Sequence, residues 1–384
     1  MSNRPDRPAI GIGLIGLGWM GKLHARAYCR VPQHFRGPTP RLIIAADDDE
    51  RARREGSTYG FAELTADWRA VVEHPDVNAV SIAAPNFVHR DAALAAAAVG
   101  KHVWVEKPVG RNADETGEIA AAIADARVRS MVGFDLRFVP AIARAAELLH
   151  RGELGEVHLA RASFLTDYAA DPASPHDWHF SRDRAGSGAL GDLMSHVVDL
   201  LGSLVAPIAE VCAAPSTVIT SRPLARHAQS SSSVENDDQV ATLLKFENGA
   251  LGVAEVSRIA TGHQSDIALE LLTTKASLRW SFARMNDLVI ADARRRGFAQ
   301  IPIDNNAGEL AAFQPGPGLP MGYDDLKVIQ ARDFLASIES GIDREPGVTA
   351  ALRAASVLAA MERSFGSRGW ERAGKPDPTK GMLL

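Results

Sequence analysis

Cysteine, lysine and long apolar runs are all scarce in this sequence, and each scarcity excludes a class of protein. The 384 residues include only two cysteines, Cys29 and Cys212, which can form neither a disulfide framework nor a four-cysteine zinc site. No stretch approaches the roughly 20 apolar residues that span a bilayer, and no apolar signal core precedes the first predicted strand. We therefore expect a reduced, cytoplasmic protein that has no membrane partner.

An excess of positive charge is also missing. The 42 basic and 47 acidic residues give a net charge of -5. This balance excludes a basic field over the whole chain, so we expect no nucleic-acid partner. Hydrophobic residues make up 46% and charged residues 23%, as in soluble globular proteins, and the length predicts two large domains. The basic residues are mostly arginine, so a lysine within a motif stands out.

The first third of the chain alternates short apolar strands with helices. The predicted strands are 10–15, 41–46, 79–83, 102–105 and 130–133, and the predicted helices are 19–31, 49–57, 88–99 and 114–126. Continuous apolar strands linked by helices are typical of a parallel sheet that is covered on both faces. We predict a doubly wound α/β sheet, with a domain boundary after residue 134.

The remainder, residues 135–384, has a different rhythm. Its predicted strands are 157–165, 209–218, 239–246, 250–257, 266–272 and 276–280; its predicted helices are 141–150, 190–201, 324–340 and 349–365; and its predicted irregular segments are 172–187, 230–233 and 302–320. Strands in succession with helices at the ends indicate an α+β domain with a large, open, mainly antiparallel sheet. The second face of such a sheet needs cover, which favours a homodimer or homotetramer through the sheet.

A G-x-G-x-x-G motif follows the first predicted strand and opens the first helix. Gly16 permits the tight turn, Gly18 lets the backbone approach a pyrophosphate, and Gly21 lets the helix pack closely on the strand. Trp19 and Met20 are predicted to offer backbone N–H groups at the helix N-terminus. This context favours a Rossmann dinucleotide-binding domain over a simple turn.

Asp47, at the end of the second predicted strand, is the candidate ribose ligand. Its spacing from Gly21 exceeds the usual roughly 20 residues, and we attribute the excess to a loop insertion over residues 32–40. The charge of Asp47 would repel a 2′-phosphate, so NAD is favoured over NADP. Arg51 is the counter-argument, because an arginine nearby could bind that phosphate.

Glu106-Lys107-Pro108 follows the strand at 102–105. Parallel sheets bind ligands at the carboxyl ends of their strands, so Lys107 could reach a substrate hydroxyl. On position alone, a surface lysine is an equally good interpretation.

Taken together, these motifs resemble those of the glucose-fructose oxidoreductase/inositol dehydrogenase/rhizopine-catabolism (GFO/IDH/MocA) family. The resemblance covers nearly the whole chain and extends to the levoglucosan dehydrogenase-like branch of bacterial sugar dehydrogenases. The residues that carry it are Gly16 to Gly21, Asp47, Ala84-Pro85-Asn86 with His89, Gly100-Lys101-His102 leading into Glu106-Lys107-Pro108, Gly188 to Asp192, and His196 with Asp199. The resemblance implies that Pro85, Asn86, His89, Glu106 and Lys107 contribute to the cofactor site.

The resemblance also implies a catalytic set of Lys107, Asp192 and His196. Residues i and i+4 of a helix lie on one face, so Asp192 and His196 are predicted to point into one pocket. His196 would take the hydroxyl proton, Asp192 would orient the substrate or His196, and Lys107 would stabilise the developing negative charge. Without the resemblance, a packed core histidine is the commoner interpretation.

The candidate substrate residues depart in part from the family pattern. Family members often carry Asn-Tyr-Arg and Trp-Arg-Phe where this chain has Asp135-Leu136-Arg137 and Trp178-His179-Phe180. Asp135 at a pocket edge would favour a polyhydroxylated or amino-bearing substrate; the alternative is an ion pair with Arg137. The predicted substrate contacts are Asp135, Arg137, Asp167, Tyr168, Trp178 and His179. A metal is not expected, because the acidic and histidine residues near Trp178 have irregular spacing and hydride transfer needs none.

We therefore predict an NAD-dependent dehydrogenase that oxidises a secondary hydroxyl, with C3 as the best single position, of a small sugar, anhydrosugar, glycoside or cyclitol. One alternative is a glycosidase or lyase that uses NAD for transient oxidation. The other is a non-catalytic sugar-sensing protein, against which the retention of Lys107, Asp192 and His196 argues.

Overall fold

The computed structural model describes residues 9–292, 297–303, 309–314, 316, 319–374, 376–377 and 382–383. The elements of its first part are β1 (Ala9–Ile15), α1 (Trp19–His34), β2 (Thr39–Ala46), α2 (Glu50–Gly56), β3 (Glu63–Thr65), α3 (Trp68–Glu73), β4 (Ala79–Ile82), α4 (Asn86–Ala98), β5 (His102–Val105), α5 (Ala113–Asp125) and β6 (Ser130–Val132).

These strands form the predicted parallel sheet. Within the described residues it has six strands, in the order β3-β2-β1-β4-β5-β6, and every pair is parallel. β4 and β6 are buried at every position, as strands covered on both faces must be. The carboxyl ends of β1, β2, β4, β5 and β6 therefore lie at one edge of the sheet, each followed by a motif named above.

The predicted loop insertion at residues 32–40 is wrong. Helix α1 continues through Pro32 to His34, and β2 begins at Thr39. Pro40 is tolerated because β3 pairs only with the later residues of β2, from Ile44 onward, so that no partner on that side needs the missing N–H of Pro40. The additional spacing before Asp47 thus arises from a longer helix and an earlier strand.

Two short elements between residues 63 and 73 were not predicted. β3 is only three residues long, too short for an alternating pattern to be visible. Helix α3 does carry a signal, because the side chain of Asp67 accepts a hydrogen bond from the backbone of Arg69 as an N-cap.

The second part of the chain continues with α6 (Pro140–His150), β7 (Val157–Leu165), α7 (Arg182–Ala185), α8 (Ser195–Leu204), β8 (Ile208–Ser216), β9 (Ser221–Pro223), β10 (Ser231–Ser233), β11 (Gln239–Phe246), β12 (Leu251–Ser257), β13 (Asp266–Thr273), β14 (Ala276–Ser281), β15 (Asp287–Asp292), β16 (Ala299–Pro302), α9 (Leu310–Phe313), α10 (Tyr323–Ser340), α11 (Val348–Ser367), β17 (Glu371–Arg372), β18 (Pro376–Asp377) and β19 (Met382–Leu383).

In the described part of the chain, these elements include a nine-stranded open sheet ordered β16-β15-β14-β13-β7-β12-β11-β8-β17. All of its pairs are antiparallel except β7 with β12, so the predicted α/β architecture with a mainly antiparallel second sheet is confirmed. One face packs against α6, α8 and α11. The other carries partly exposed apolar side chains, including Leu243 and Val253, which are paired neighbours on β11 and β12.

Several local predictions for this part need correction. Residues 231–233 form strand β10 with β9, where we expected a loop. The segment 172–187 contains the short helix α7, and β15 and β16 were missed. The segment 302–320 contains α9, and part of it lies outside the described residues. The predicted helix at 190–201 begins with a π-helical turn, Leu190–Met194, and only then continues as α8. Such turns are frequent at functional sites.

Helix α10 returns to the first sheet, so the two parts share a core. Its residues Val328 and Phe334 belong to one buried cluster with Ile12 of β1 and Trp104 of β5. Helix α11 packs against α5 in the same way. The boundary between residues 134 and 135 remains a prediction. Within the described ranges, no helix is both long and apolar enough to span a bilayer.

A buried carboxylate, that of Glu106, joins three of these elements. Glu106 Oε1 lies 2.8 Å from His24 Nε2 on α1 and 2.7 Å from Lys327 Nζ on α10, and Lys327 is fully buried. Burial alone would raise the pKa of Glu106, but Lys327 and His24 lower it well below its usual range. Lys327 also donates to Gln330 Oε1 at 3.1 Å, so the ammonium has two side-chain acceptors.

Replacing Lys327 tests how far the fold depends on this pair. Lys327→Met leaves an uncompensated buried carboxylate, and we expect it to lower the free energy of unfolding by about 3–5 kcal/mol in urea denaturation. The matched control, Lys245→Met, removes a half-exposed ion pair with Glu210 and is expected to cost about 0–1 kcal/mol. Equal effects of the two substitutions would contradict the role given to Lys327.

Candidate active site

In the turn after β1, two glycines stand where any side chain would collide with neighbouring backbone atoms. Gly16 has a φ of 93°, and a Cβ there would lie 2.5 Å from the carbonyl oxygen of Ala83. A Cβ on Gly21 would lie 1.9 Å from the carbonyl oxygen of Gly16. A Cβ on Gly18, by contrast, meets no atom within 4 Å. The turn is therefore tight at both ends and open in the middle, as a cradle for a pyrophosphate must be.

The first turn of α1 is also suited to an anion. Gly18, the N-cap, offers no side-chain acceptor to the helix N–H groups, and the first turn carries no acidic residue. Backbone donors and the helix dipole therefore face the open cradle. The indole of Trp19 is 67% exposed and stacks on Tyr323 of α10, with ring centroids 5.8 Å apart.

Asp47 contacts the glycine turn directly. Its Oδ2 accepts a hydrogen bond from the N–H of Leu17 at 2.6 Å, and its Oδ1 accepts one from the N–H of Asp49 at 2.9 Å. The carboxylate thus stabilises the turn and places negative charge beside the cleft. Arg51, the possible phosphate ligand, instead donates to Glu55 at 2.9 Å.

The segment after β4 connects the two halves of the cleft. Asn86 donates to the carbonyl oxygen of Ala185 in α7 at 2.9 Å. The two ring nitrogens of His89 lie 2.8 Å from Ala84 O and 3.0 Å from Pro108 O. His89 therefore joins the segment that follows β4 to the one that follows β5.

These elements surround a cleft of about 620 Å³, within the size range of cofactor sites. The predicted site residues that line it are Gly16, Gly18, Trp19, Met20, Asp47, Pro85, Asn86, His89, Glu106, Lys107, Tyr168, Trp178, His179 and Asp192. Gly21 lies beneath the turn. The predicted residues that do not line the cleft are Asp135, Arg137, Asp167 and His196.

Lys107 is the charged centre of the cleft. Its ammonium lies 2.6 Å from Asp192 Oδ1 and 3.1 Å from the backbone oxygen of Asp192, while the Tyr168 hydroxyl donates to Asp192 Oδ2 at 3.0 Å. Burial alone would lower the pKa of Lys107, but the Asp192 carboxylate raises it. Burial opposes the ionisation of Asp192, yet Lys107 lowers its pKa to about 2. The two groups therefore form a charged pair at neutral pH.

His196 lies behind this pair rather than in the cleft wall. It is 8% exposed, and the rings of Phe134 and Phe164 flank it. Burial and the Lys107 ammonium lower the pKa of His196 to about 4. The imidazole is therefore neutral at pH 7 and can accept a proton.

Asp192 and His196 do not share partners, contrary to the expectation that i and i+4 place them together. Asp192 belongs to the π-helical turn and contacts Lys107 and Tyr168. His196 lies in the α-helical part, with its Nδ1 3.7 Å from Asp135 Oδ1. The wider turn changes the angle between successive residues, so i+4 no longer places two side chains one above the other.

The ion pair considered between Asp135 and Arg137 is not formed. Arg137 donates from Nε to Asp199 at 2.8 Å and lies 3.6 Å from Glu345. Asp135 is 3% exposed and accepts a hydrogen bond from the hydroxyl of Tyr323. We expected Asp135 at a pocket edge. That expectation is wrong, because Asp135 is buried beneath the site and does not line the cleft.

The loop after β7 forms another wall of the cleft, with Tyr168, Trp178 and His179 in its lining. Trp178 stacks on His179 with ring centroids 3.7 Å apart, and Asp177 lies 2.9 Å from His179 Nδ1. Asp167 accepts from the N–H of Gly262 at 3.1 Å and shapes the loop rather than the wall. In the described ranges, no three His, Cys, Asp or Glu side chains lie together as a metal site requires.

Arg258 and Trp68 are among the residues that line the cleft but were not predicted from the sequence. Arg258 pairs with Asp238 and donates to Asn236, each at 2.9 Å, and all three are buried. No local pattern marks that network, because tertiary packing creates it. Trp68 lines the cleft near Asp47 from α3, and its N-cap signal could have identified it.

Comparisons with known proteins agree with this geometry. Residues 10–134 match the oxidoreductase family with an NAD-binding Rossmann fold, and residues 142–279 match the GFO/IDH/MocA C-terminal domain. The levoglucosan dehydrogenase of Pseudarthrobacter phenanthrenivorans is 35% identical over 94% of this chain and 97% of that protein. The scyllo-inositol 2-dehydrogenase (NAD(+)) of Bacillus subtilis is 27% identical over 76% of this chain and 80% of that protein.

Solved structures extend the similarity to the whole fold. Levoglucosan dehydrogenase in complex with NADH matches with a TM-score of 0.92 at 34% identity, covering 96% of this chain and 100% of that chain. The same enzyme in complex with NADH and levoglucosan matches with a TM-score of 0.91 at 34% identity, with the same coverage. The open cradle, the helix N-terminus and Asp47 thus provide the features that an NAD site requires.

A methyl group at Gly18 tests the cradle. An alanine in place of Gly18 fits the backbone, whose φ is -63°, but its methyl enters the open space. We expect Gly18→Ala to keep the melting temperature and to weaken NADH binding about tenfold, measured by fluorescence titration. Gly202→Ala, where a Cβ also meets no atom, is the control and should leave NADH binding unchanged. Unaltered NADH affinity in Gly18→Ala would show that the cofactor lies elsewhere.

Proposed function

Because the chain belongs to the GFO/IDH/MocA oxidoreductase family, as its motifs predicted, we propose that it is an NAD-dependent dehydrogenase of small polyhydroxylated substrates. The group oxidised is a secondary alcohol of a sugar, anhydrosugar, glycoside or inositol, and the hydride leaves from the carbon that bears the hydroxyl. The favoured position is C3. The observation that carries the proposal is the Lys107–Asp192 pair at the carboxyl edge of the sheet, within the cofactor cleft. Levoglucosan dehydrogenase as a relative supports an anhydrosugar first.

The three catalytic candidates have separate tasks in this proposal. Lys107 holds the substrate hydroxyl and stabilises negative charge that develops on its oxygen. Asp192 and Tyr168 orient the Lys107 ammonium and complete the hydrogen-bonding wall for a polyol. His196, neutral at pH 7, accepts the hydroxyl proton from a substrate that reaches past the Lys107–Asp192 pair to the imidazole. When bound, NAD supplies the hydride acceptor.

NAD rather than NADP is favoured by the charge beside the glycine turn. Asp47 and Asp48 both line that end of the cleft, and Arg51 is held by Glu55. A 2′-phosphate would therefore meet two carboxylates, while the nearby Arg53 donates to the backbone oxygens of Asp47 and Asp48. The cofactor would contact the glycine turn through its pyrophosphate and Asp47 through its adenosine ribose.

Two other functions make different predictions for the same cleft. A glycosidase or lyase with transient oxidation would consume substrate without net NADH. A sugar-sensing protein would bind ligand and turn over nothing; the charged Lys107–Asp192 pair is a feature such a protein does not need. A homodimer or homotetramer through the open sheet and a cytoplasmic location remain predictions.

A substrate panel distinguishes these functions. We expect net NADH formation, followed by absorbance, with at least one member of a panel of levoglucosan, monosaccharides, glycosides and inositols, and a weaker rate with NADP. Substrate loss without NADH would favour transient oxidation. Binding detected by calorimetry without any product would favour the sensor.

Lys107→Met tests the catalytic centre once a substrate is known. It removes the charge that stabilises the developing alkoxide, so we expect kcat to fall about 10²–10³-fold. Because Lys107 also lines the cofactor cleft, NADH affinity is measured separately, so that a loss of catalysis is distinguished from a loss of cofactor binding. Lys275→Met, remote from the cleft and bound to the carbonyl oxygen of Gly152, is the control. Wild-type kcat in Lys107→Met would overturn the assignment.

A further inference from the structure

His196 has an unusual buried nitrogen. Its Nδ1 is fully enclosed and has no hydrogen-bond partner among the described residues. A buried polar atom of this kind costs free energy unless a partner approaches during function. The carboxylate oxygen that faces it is Asp135 Oδ1, at 3.7 Å. A movement of about 0.5 Å would bring the two atoms within hydrogen-bonding range.

Asp135 is held so that one oxygen remains for this contact. Its Oδ2 accepts a hydrogen bond from the Tyr323 hydroxyl at the start of α10, while Oδ1 faces His196. Tyr323 is itself fixed by stacking on Trp19 and by an edge contact with Phe282. Burial and the Asp135 charge raise the pKa of Tyr323 well above its usual value, so the hydroxyl remains a donor.

Asp192, the residue expected to orient His196, is already occupied. Its Oδ1 accepts from Lys107 and its Oδ2 accepts from Tyr168. The four charged groups that influence His196 come from three parts of the chain: Lys107 and Glu106 after β5, Asp135 after β6, and Asp192 in the π-helical turn. Of these, Lys107 opposes a positive charge on the ring, and Asp135 favours one from 3.7 Å away.

We propose that Asp135 is a positioning residue for His196, an inference that rests on the proposed function. The Asp135 carboxylate holds the proton of the neutral ring on Nδ1, which leaves the Nε2 lone pair as the acceptor. During oxidation the substrate O–H proton moves to Nε2 and the C–H hydrogen leaves with its electron pair to NAD. The resulting imidazolium, beside the Lys107 ammonium, is stabilised by the Asp135 charge. Tyr323 fixes the carboxylate.

The tautomer of His196 is the direct test, and it needs no turnover. In ¹⁵N-labelled wild-type protein without cofactor, we expect the nitrogen chemical shifts of His196 to report a protonated Nδ1 and a bare Nε2, assigned with His196→Gln. A wild-type ring with its proton on Nε2 would overturn the proposal, whatever any variant does.

Asp135→Asn tests the consequence for catalysis. The amide keeps the shape and an acceptor for Tyr323 but removes the charge. We expect a mixed or reversed tautomer and a fall in kcat of about 10²-fold or more, with KM nearly unchanged. Asp135→Glu should recover part of the rate. Asp91→Asn, an exposed carboxylate on α4, is the control and should leave both the tautomer and kcat unchanged.

Different results would contradict the role of His196 as the base and the role of Asp135 as its positioning residue. If His196→Gln keeps wild-type kcat, the proposed base is wrong and the function must be revised. If His196→Gln is inactive but Asp135→Asn keeps kcat and tautomer, only the positioning role is wrong. In the His196→Gln background, Asp135→Asn should have no further effect on the residual rate; an equal additional loss there would show that Asp135 acts independently of His196.

Discussion

The buried carboxylate of Glu106 holds helices α1 and α10 against the first sheet. A charge removed from water must be compensated, and its two partners lie on α1 and on α10, far apart in sequence. Glu106 immediately precedes Lys107, so the interaction that joins the two helices to the sheet also fixes the backbone position of Lys107. Two adjacent residues thus carry the buried structural charge and the charged group of the cleft.

Charge is distributed unequally around the cleft, and this asymmetry explains why Lys107 is charged and His196 is neutral. Lys107 is paired with Asp192 and remains a cation. That same cation, together with burial, keeps His196 neutral. One side chain is thereby available to stabilise negative charge and another to accept a proton, although Lys107 is only partly exposed and His196 is buried. Neighbouring groups with separated pKa values are what acid–base chemistry at neutral pH requires.

The sequence was most informative where local rules decide the structure. Strands β7 and β11 have the predicted bounds, and the glycine turn, Asp47 and Lys107 lie at the predicted edge. It was least informative where packing overrides a local signal. Pro32 and Pro40 suggested a loop, but helix and strand continue through them.

The network around Asp135 could not be predicted for a related reason. Asp135 and Tyr323 are 188 positions apart, and the π-helical turn that separates Asp192 from His196 leaves no mark in the residue pattern. Contacts of that kind arise only when the whole chain has folded.

The return of α10 to the first sheet has a consequence for synthesis on the ribosome. The nucleotide-binding part emerges first, yet Lys327, which compensates Glu106, is made 221 residues after it, and Tyr323, which holds Asp135, is made 188 residues after that residue. Until then the nascent sheet lacks both the apolar cover of Val328 and Phe334 and the countercharge of its buried acid. We therefore expect stable folding of this part to wait for the synthesis of helix α10.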